Sequence, residues 1–231
     1  MLANGLPGLY VVYDGIIGCG KSAQVKRLRD HLPEAFPDVE ILYTYEPGGN
    51  PEADKIRQRV KHEIMSPEDE VRLYGDSRAI TLPEIVRPAL DNGLLVVSDR
   101  CFTTSLDYQG IGRGLGLDYV WKVNEPIVAG TFPDIVVFPK VGIEASLRRS
   151  GGEKPDKFDN EAFDFWEKTL EGYAKVFDFL HEVSPSTRVI QIDDPEGKYG
   201  IEEMAGKIEA QLYPLIDNWR REGRIFKERE V

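Results

Sequence analysis

Short apolar segments alternate with longer amphipathic segments along most of this chain. The apolar segments predict buried β-strands at 9–14, 40–45, 93–99, 134–140 and 188–193. The amphipathic segments carry apolar residues three or four positions apart, which predicts helices at 21–32, 51–64, 67–80, 83–92, 161–183 and 198–222. We expect an interruption of the helical pattern near Pro83. The alternation favours an α/β fold, in which a five-stranded parallel sheet carries helices on both faces, giving three layers.

The composition indicates a globular protein and limits what it can bind. A chain of 231 residues suits a single domain with a full core, which we assign to 1–231 with a charged tail at about 220–231. The formal net charge of −11 argues against nucleic-acid binding, because an acidic surface repels phosphates. The sequence contains no apolar run of the ~20 residues that cross a membrane, and its start lacks a signal-peptide layout. We therefore expect no membrane contact. Because Cys19 and Cys101 give no disulfide framework, we also expect a cytoplasmic protein.

A glycine-rich segment after the first predicted strand indicates a phosphate-binding loop. The segment "GIIGCGKS" at 15–22 fits the pattern G-x-x-x-x-G-K-[ST] and opens the first predicted helix. Glycines allow successive backbone N–H groups to point at an anion, and the helix N-terminus adds positive charge. Lys21 would reach the β- and γ-phosphates of ATP, and the Ser22 hydroxyl would face Mg²⁺. The predicted ATP-binding residues in this loop are Gly15, Ile16, Ile17, Gly18, Cys19, Gly20, Lys21, Ser22 and Ala23.

The end of the third predicted strand carries a second pair of candidate residues. Asp99 ends an apolar strand that we expect beside the phosphate loop, where a carboxylate can organise Mg²⁺. Arg100 follows it and is expected in the crevice above the strand ends, where ligands collect in open α/β sheets. A guanidinium group there can bind a phosphate through two hydrogen bonds. The chain has no guanine-selecting N-K-x-D segment, so ATP is favoured over GTP.

Several further motifs occur in a fixed order and carry a family resemblance. They are "DGIIGCGKSAQ", "EPGGNPEADKIR" (46–57), "RLYGDSRA" (72–79), "DRCFTTSLDYQGIGRGL" (99–115), "PDIVVFPKV" (133–141) and "DKFDNEAFDFWEKTLEGY" (156–173). With them the chain resembles the thymidylate kinases, which belong to the nucleoside monophosphate kinases, from residue 10 to about 212. The resemblance implies transfer of the γ-phosphoryl group of ATP to dTMP, giving dTDP, with Mg²⁺ as the metal ion. It also implies a homodimer.

The resemblance assigns roles at the acceptor site. Tyr74 matches the aromatic residue that stacks on thymine, and Arg78, on the same helix face, matches the arginine that reads the base edge. Arg57 and Arg100 match the arginines that hold the acceptor phosphate. Tyr108 matches the tyrosine near the sugar that disfavours a 2′-hydroxyl. The full predicted acceptor set is Glu46, Pro47, Arg57, Tyr74, Arg78, Arg100, Thr104, Tyr108 and Gln109.

The segment 148–158 is polar and basic, and it is similar to the lid that closes over the phosphates in this family. In one subgroup the phosphate loop itself carries an arginine, at the place where this chain has Gly18. The helping charge is therefore expected from the lid, whose candidates are Arg148, Arg149, Lys154 and Lys157. We predict Lys21, Arg100, Arg149 and Lys157 as catalytic residues, with Arg149 first among the lid cations, and Arg148 as an ATP-binding residue.

Some positions depart from the family pattern and leave the acceptor open. Ile17 stands where an acid usually meets the sugar 3′-hydroxyl, so that contact must pass elsewhere, and Asp14 and Asp107 are the candidates. Tyr45 and Lys157 each replace an arginine, and a lysine lacks the planar fork of a guanidinium group. The alternatives are therefore dUMP, a modified pyrimidine or another deoxynucleotide as acceptor, a nucleoside as acceptor, and a nucleotide-binding module without turnover.

Overall fold

The computed structural model describes residues 2–150 and 157–229, and it contains the predicted parallel sheet. The strands are β1 (Leu9–Tyr13), β2 (Ile41–Tyr45), β3 (Leu95–Asp99), β4 (Ile135–Val141) and β5 (Arg188–Asp194). All described pairings are parallel, in the order β2-β3-β1-β4-β5. The α/β prediction is confirmed, and each strand begins and ends within two residues of its predicted bounds.

Helices connect the strands and cover the sheet. They are α1 (Lys21–Ala35), α2 (Pro51–His62), α3 (Pro67–Thr81), α4 (Arg87–Asp91), α5 (Phe102–Ser105), α6 (Leu117–Val128), α7 (Ile143–Arg149), α8 (Phe163–Val183) and α9 (Ile201–Arg229). The pattern predicted α1 to α4, α8 and α9, but not α5, α6 or α7. The last helix runs to Arg229, so it includes most of the predicted charged tail. No helix in the described part of the chain is long and apolar enough to cross a membrane.

The predicted interruption at Pro83 is a local change of helix type. Pro83 lies in a π-helical turn, Leu82–Val86, which joins α3 to α4 without leaving the helical path. Proline lacks an N–H group and its ring clashes with the carbonyl four residues before it. In the wider turn the N–H of Arg87 bonds to the carbonyl of Leu82, five residues before it, instead of the carbonyl of Pro83, four residues before it. A second π-helical turn, Leu106–Gly112, follows α5 and carries Tyr108.

Two apolar clusters pack on opposite faces of the sheet. Val11 and Val97 belong to one cluster, with Leu28 of α1 and Leu212 of α9, while the neighbouring strand residue Val12 belongs to the other. Burial of such side chains stabilises the fold by about 1.5–3 kcal/mol each. All of β1 is buried, so the loop that follows it starts from a rigid strand end.

The carboxyl ends of the central strands meet at one edge of the sheet. Tyr13 at the end of β1 pairs in register with Asp99 at the end of β3. In a parallel sheet this edge is where connecting loops form a ligand crevice. The segment 15–20 leaves β1 at this edge, and Arg100 leaves β3 beside it.

Candidate functional site

The loop between β1 and α1 forms a cradle that only glycine can complete. Gly18 has a φ of +67°, and a Cβ atom there would lie 1.9 Å from the carbonyl oxygen of Ser146 on α7. A side chain at this position would therefore displace backbone. Gly20 caps α1 without a side-chain hydrogen bond. Because glycine has no side chain, Gly20 cannot cap the first N–H groups of α1 with a side-chain hydrogen bond, which suits an anion at the helix N-terminus.

Lys21 lies at the mouth of this cradle. Its side chain is buried, and its Nζ donates a hydrogen bond to the carbonyl of Ile16 at 3.1 Å. Burial, followed by the nearby Arg100 guanidinium, lowers the pKa of Lys21. A buried cation held by one carbonyl retains donors for an incoming phosphate.

Ser22 and Asp99 form the pair that could hold a metal ion. Ser22 Oγ donates to Asp99 Oδ2 at 2.5 Å. The other carboxylate oxygen, Asp99 Oδ1, is buried and has no hydrogen-bond partner among the described residues. A hydroxyl group and a carboxylate fit Mg²⁺, which is usually bound by one or two carboxylates together with substrate phosphates and water. In the described ranges, no group of three or more His, Cys, Asp or Glu side chains could hold a metal ion.

Two clefts border the cradle at Lys21 and Ser22. The larger of these two, about 460 Å³, opens on one side of the cradle. Arg149 lies in its wall, where its Nη2 donates to the carbonyl of Gly197 at 2.7 Å. Arg148 is 66% exposed and lies 3.9 Å from Glu144, outside the cleft wall, and its ATP contact stays a prediction. Its side chain leaves α7 on the solvent side. The lining of this cleft comprises Gly18, Cys19, Gly20, Lys21, Ser22, Ala23, Gln24, Arg149, Tyr199, Gly200, Ile201 and Met204.

The residues from β5 to α9 in this lining were missed by the sequence reasoning. Tyr199, Gly200, Ile201 and Met204 follow the last strand and lie about 180 residues from the cradle in the chain. The rule that ligands collect at the carboxyl ends of strands was the signal that could have found them, because the polar turn after β5 ends at the same edge.

The second cleft lies on the other side of Lys21 and Ser22. The structure brings together most of the predicted acceptor residues there, and it adds Lys61, one helical turn after Arg57, together with Phe158 and Trp166. The i, i+4 spacing from Arg57 was a signal for Lys61. The lining comprises Ile17, Lys21, Ser22, Tyr45, Glu46, Pro47, Arg57, Lys61, Tyr74, Asp99, Arg100, Tyr108, Phe158 and Trp166.

Arg100 is held in this cleft in an unusual backbone conformation. Its φ is +77°, which costs on the order of 1–3 kcal/mol for a residue other than glycine. The guanidinium group donates to the carbonyl of Gly15 at 3.0 Å and to the Tyr108 hydroxyl at 2.9 Å, and lies 3.6 Å from Asp14. These contacts hold the strained residue and fix the guanidinium beside the cradle. Across the cleft, Arg57 Nη1 donates to the carbonyl of Pro47 at 2.7 Å.

Four predicted site residues lie behind the cleft walls instead of in them. Arg78 is 2% exposed, and it donates to Glu46 Oε2 at 2.7 Å and also to Asn124. The other three bond to buried carboxylates: Thr104 to Asp14 at 2.6 Å, Gln109 to Glu70 at 2.6 Å and Lys157 to Glu70 at 2.6 Å. Direct substrate contact by these four stays a prediction. Lys154 and Asp156 lie outside the described residues.

Asp14 and Asp107 are the candidates for the missing contact to the sugar, and that contact stays a prediction. Both are buried and lie outside the cleft lining. Asp14 accepts hydrogen bonds from Tyr173 at 2.7 Å and from the N–H of Gly15 at 2.8 Å. Neither oxygen of Asp107 has a hydrogen-bond partner within the described part of the chain. Burial, with Asp14 nearby, raises the pKa of Asp107 well above its usual value, so the protonated form is favoured.

This buried carboxyl group makes stability depend on pH. In the unfolded chain Asp107 releases its proton near pH ~3.9, whereas the folded chain keeps it. The wild type therefore loses stability as pH rises from ~4 toward the raised folded pKa, by up to about 1.4 kcal/mol per pH unit from this group. We expect Asp107→Asn to lack this slope when urea unfolding is measured between pH 5 and pH 8. The exposed Asp118→Asn serves as the control, and parallel curves for wild type and Asp107→Asn would contradict the assignment.

Comparisons with known proteins agree with this geometry. A family model described as thymidylate kinase matches residues 13–188. The thymidylate kinase of Caldanaerobacter subterraneus subsp. tengcongensis is 36% identical over 202 residues, which cover 87% of this chain and 94% of that protein. The thymidylate kinase of Mycoplasma mobile is 38% identical over 173 residues, or 73% of this chain and 83% of that protein. The thymidylate kinase of Synechococcus sp. CC9605 is 35% identical over 178 residues, which cover 74% and 85%.

Proposed function

The chain belongs to the thymidylate kinase family, and we propose that it transfers the γ-phosphoryl group of ATP to dTMP, giving dTDP. The observation that carries the proposal is that Lys21 and Ser22 border both clefts. A donor in the larger cleft and an acceptor in the smaller one would meet at these two side chains. Phosphoryl transfer needs this kind of alignment, with positive charge around the moving group.

The donor phosphates would lie in the cradle at the start of α1. The N–H groups of that turn would bind the β-phosphate, and the Lys21 ammonium would reach the γ-phosphate. When bound, Mg²⁺ would be held by Ser22 and Asp99, and it would supply charge neutralisation on the β- and γ-phosphates. Among the lid cations that the structure describes, Arg149 lies in the wall of the same cleft, and we propose that it aids the transfer.

The acceptor phosphate would lie between Arg57 and Arg100. Two guanidinium groups suit a phosphate dianion, whereas a nucleoside acceptor would leave both of them without an anion. Arg100 contacts the carbonyl of Gly15 in the cradle, so it can bind the acceptor phosphate and the transferring group together. This arrangement lowers the barrier through electrostatic stabilisation of the charge that develops during transfer.

The acceptor base and sugar would occupy the aromatic part of the cleft. Tyr74 offers a ring for stacking, and the buried Arg78–Glu46 pair lies behind the base end. The Tyr108 ring packs against Trp166 at 5.5 Å and Phe158 at 5.6 Å between ring centroids, so it cannot yield to a larger sugar. We propose that this rigid ring disfavours a 2′-hydroxyl group, and that Ile17 makes one side of the sugar site apolar.

We also propose that the chain acts as a homodimer in the cytoplasm, as its family resemblance implies. Light scattering after size-exclusion chromatography tests the oligomeric state directly. A mass near 26.1 kDa at working concentration would contradict the dimer.

A coupled phosphoryl-transfer assay tests the proposed reaction. Mg·ATP is supplied with dTMP, dUMP, dCMP, dGMP, UMP or thymidine, and we expect kcat/KM for dTMP to exceed that for UMP by at least about a hundredfold. Faster turnover of another monophosphate would keep the mechanism and change the acceptor. Turnover of thymidine alone would identify a nucleoside kinase. Absence of turnover on the whole panel, with ATP still bound, would identify a binding module.

A further inference from the structure

Glu70 is a buried carboxylate behind the acceptor cleft, and the proposed reaction assigns it no role. It lies in the first turn of α3 and is 2% exposed. Its carboxylate oxygens contact Lys157 Nζ at 2.6 Å, Gln109 Nε2 at 2.6 Å and Arg113 Nη2 at 3.5 Å. A carboxylate out of water is unfavourable unless it is paired and hydrogen-bonded, so these three contacts are what allows its burial.

The two cations that Glu70 holds flank the ring of Phe158. Lys157 Nζ lies 5.3 Å and the Arg113 guanidinium 5.7 Å from the Phe158 ring centroid. Arg113 is tied further to Glu161 at 2.5 Å. Cations at this distance from a ring face attract it. The charges that Glu70 anchors therefore help to position Phe158.

Phe158 in turn forms part of the acceptor cleft. It is 6% exposed, lines the cleft and packs against Tyr108 with 5.6 Å between ring centroids. Tyr108 accepts the hydrogen bond from Arg100. A chain of contacts thus leads from Glu70 through Lys157 and Phe158 to the ring that borders the sugar and to the guanidinium that borders the acceptor phosphate.

Glu70 also belongs to the helix that carries the base-binding residue. Tyr74 follows it by one helical turn, on the same face of α3. One carboxylate therefore connects the helix beside the base with Lys157 and Phe158 beside the sugar. Tyr74 and Phe158 line the cleft from segments more than 80 residues apart in the chain. Glu70 lies one helical turn before Tyr74 and pairs with Lys157, the neighbour of Phe158.

We propose that Glu70 is a positioning residue of the acceptor site, which holds Lys157 and Phe158 against Tyr108 so that the cleft encloses the acceptor. The inference rests on the proposed function, because it concerns the acceptor of that reaction. The enclosed cleft increases acceptor affinity and keeps water from the γ-phosphoryl group. It leaves the donor cleft unchanged, because Glu70, Lys157 and Phe158 are absent from the lining of that cleft.

The test compares Glu70→Gln with the matched variant Glu68→Gln, an exposed glutamate on the same turn of α3. We expect Glu70→Gln to raise KM for dTMP about tenfold, as loss of a charged hydrogen bond does. We expect KM for ATP to change by less than about twofold, and the ratio of ATP hydrolysed to dTDP formed to rise. Glu68→Gln is expected to match the wild type. A variant of Glu70 that melts earlier but keeps both KM values and the coupling ratio would overturn the proposal.

A second variant decides the question if Glu70→Gln does not fold. Lys157 is 17% exposed, so Lys157→Met removes the partner from the accessible side and leaves Glu70 with Gln109 and Arg113. We expect it to raise KM for dTMP and not KM for ATP. An effect on KM for ATP instead would assign Lys157 to the donor phosphates and overturn the proposal. If the wild type turns over another acceptor from the panel, the same comparison is made with that acceptor, so failure of the dTMP assignment is read separately.

Discussion

The Lys21→Met variant is expected to lose about a hundred- to a thousandfold in kcat for dTDP formation, while it stays folded. Lys21 borders both clefts, so its ammonium group is the described cation best placed for the phosphoryl group throughout its transfer. Methionine has a similar length and fills the same space without charge. Burial disfavours the charged form of Lys21 and lowers its pKa, so an uncharged side chain of similar length is expected to be tolerated at this position.

The measurement is a single-turnover assay with Mg·ATP and dTMP, together with a thermal melt. Lys26→Met, an exposed lysine on the same helix, is the matched control and is expected to keep full activity. A Lys21→Met variant that keeps kcat within about tenfold of the wild type would show that the charge at the transferring group comes from Arg100 or Arg149, and the proposed role of Lys21 would be wrong.

The sheet and the phosphate cradle could be predicted because their signals are contiguous in the sequence. Each strand is a short apolar run, and "GIIGCGKS" contains its whole motif in eight neighbouring residues. The structure adds a reason for one of the glycines that the motif alone does not contain, since the carbonyl of Ser146 occupies the space beside Gly18. That contact comes from α7, which the periodicity did not predict.

The outer walls of both clefts could not be predicted in the same way. Tyr199 and Met204 reach the donor cleft from a segment outside the motifs, and Phe158 and Trp166 reach the acceptor cleft from the motif at 156–173, where the resemblance assigned them no role. Their side chains are apolar or aromatic and carry no chemical signature in the sequence. Only the fold brings them to the edge where the strands end.

Spacing along a helix predicted which face a residue occupies, but not its partner. Tyr74 and Arg78 do share one face of α3, yet only Tyr74 lines the cleft. The guanidinium of Arg78 pairs with Glu46, which the loop after β2 places within 2.7 Å. Lys157 is a similar case, because it pairs with a buried carboxylate on α3. In both cases the ion pair joins residues far apart in the chain, which spacing along one helix cannot predict.

The Arg100→Lys variant is expected to lose about a hundredfold in kcat/KM for dTMP, although it keeps the positive charge. The guanidinium donates to the Gly15 carbonyl and the Tyr108 hydroxyl together, and a single ammonium group on a shorter side chain cannot span both partners and still face the acceptor phosphate. The strained backbone at φ +77° would then lose the contacts that hold it. Initial rates at varied dTMP and at varied ATP separate the two clefts.

We expect the effect of Arg100→Lys on KM for ATP to stay within about threefold, because Arg100 lines only the acceptor cleft among the two. Arg72→Lys, at a 63% exposed arginine of α3, is the control for the substitution itself. Near-normal kcat/KM in Arg100→Lys would mean that charge alone is sufficient at this position. Arg57 and Lys61 would then hold the acceptor phosphate in place, and the positive φ of Arg100 would have a structural cause, namely the sharp turn that carries the chain from β3 into α5.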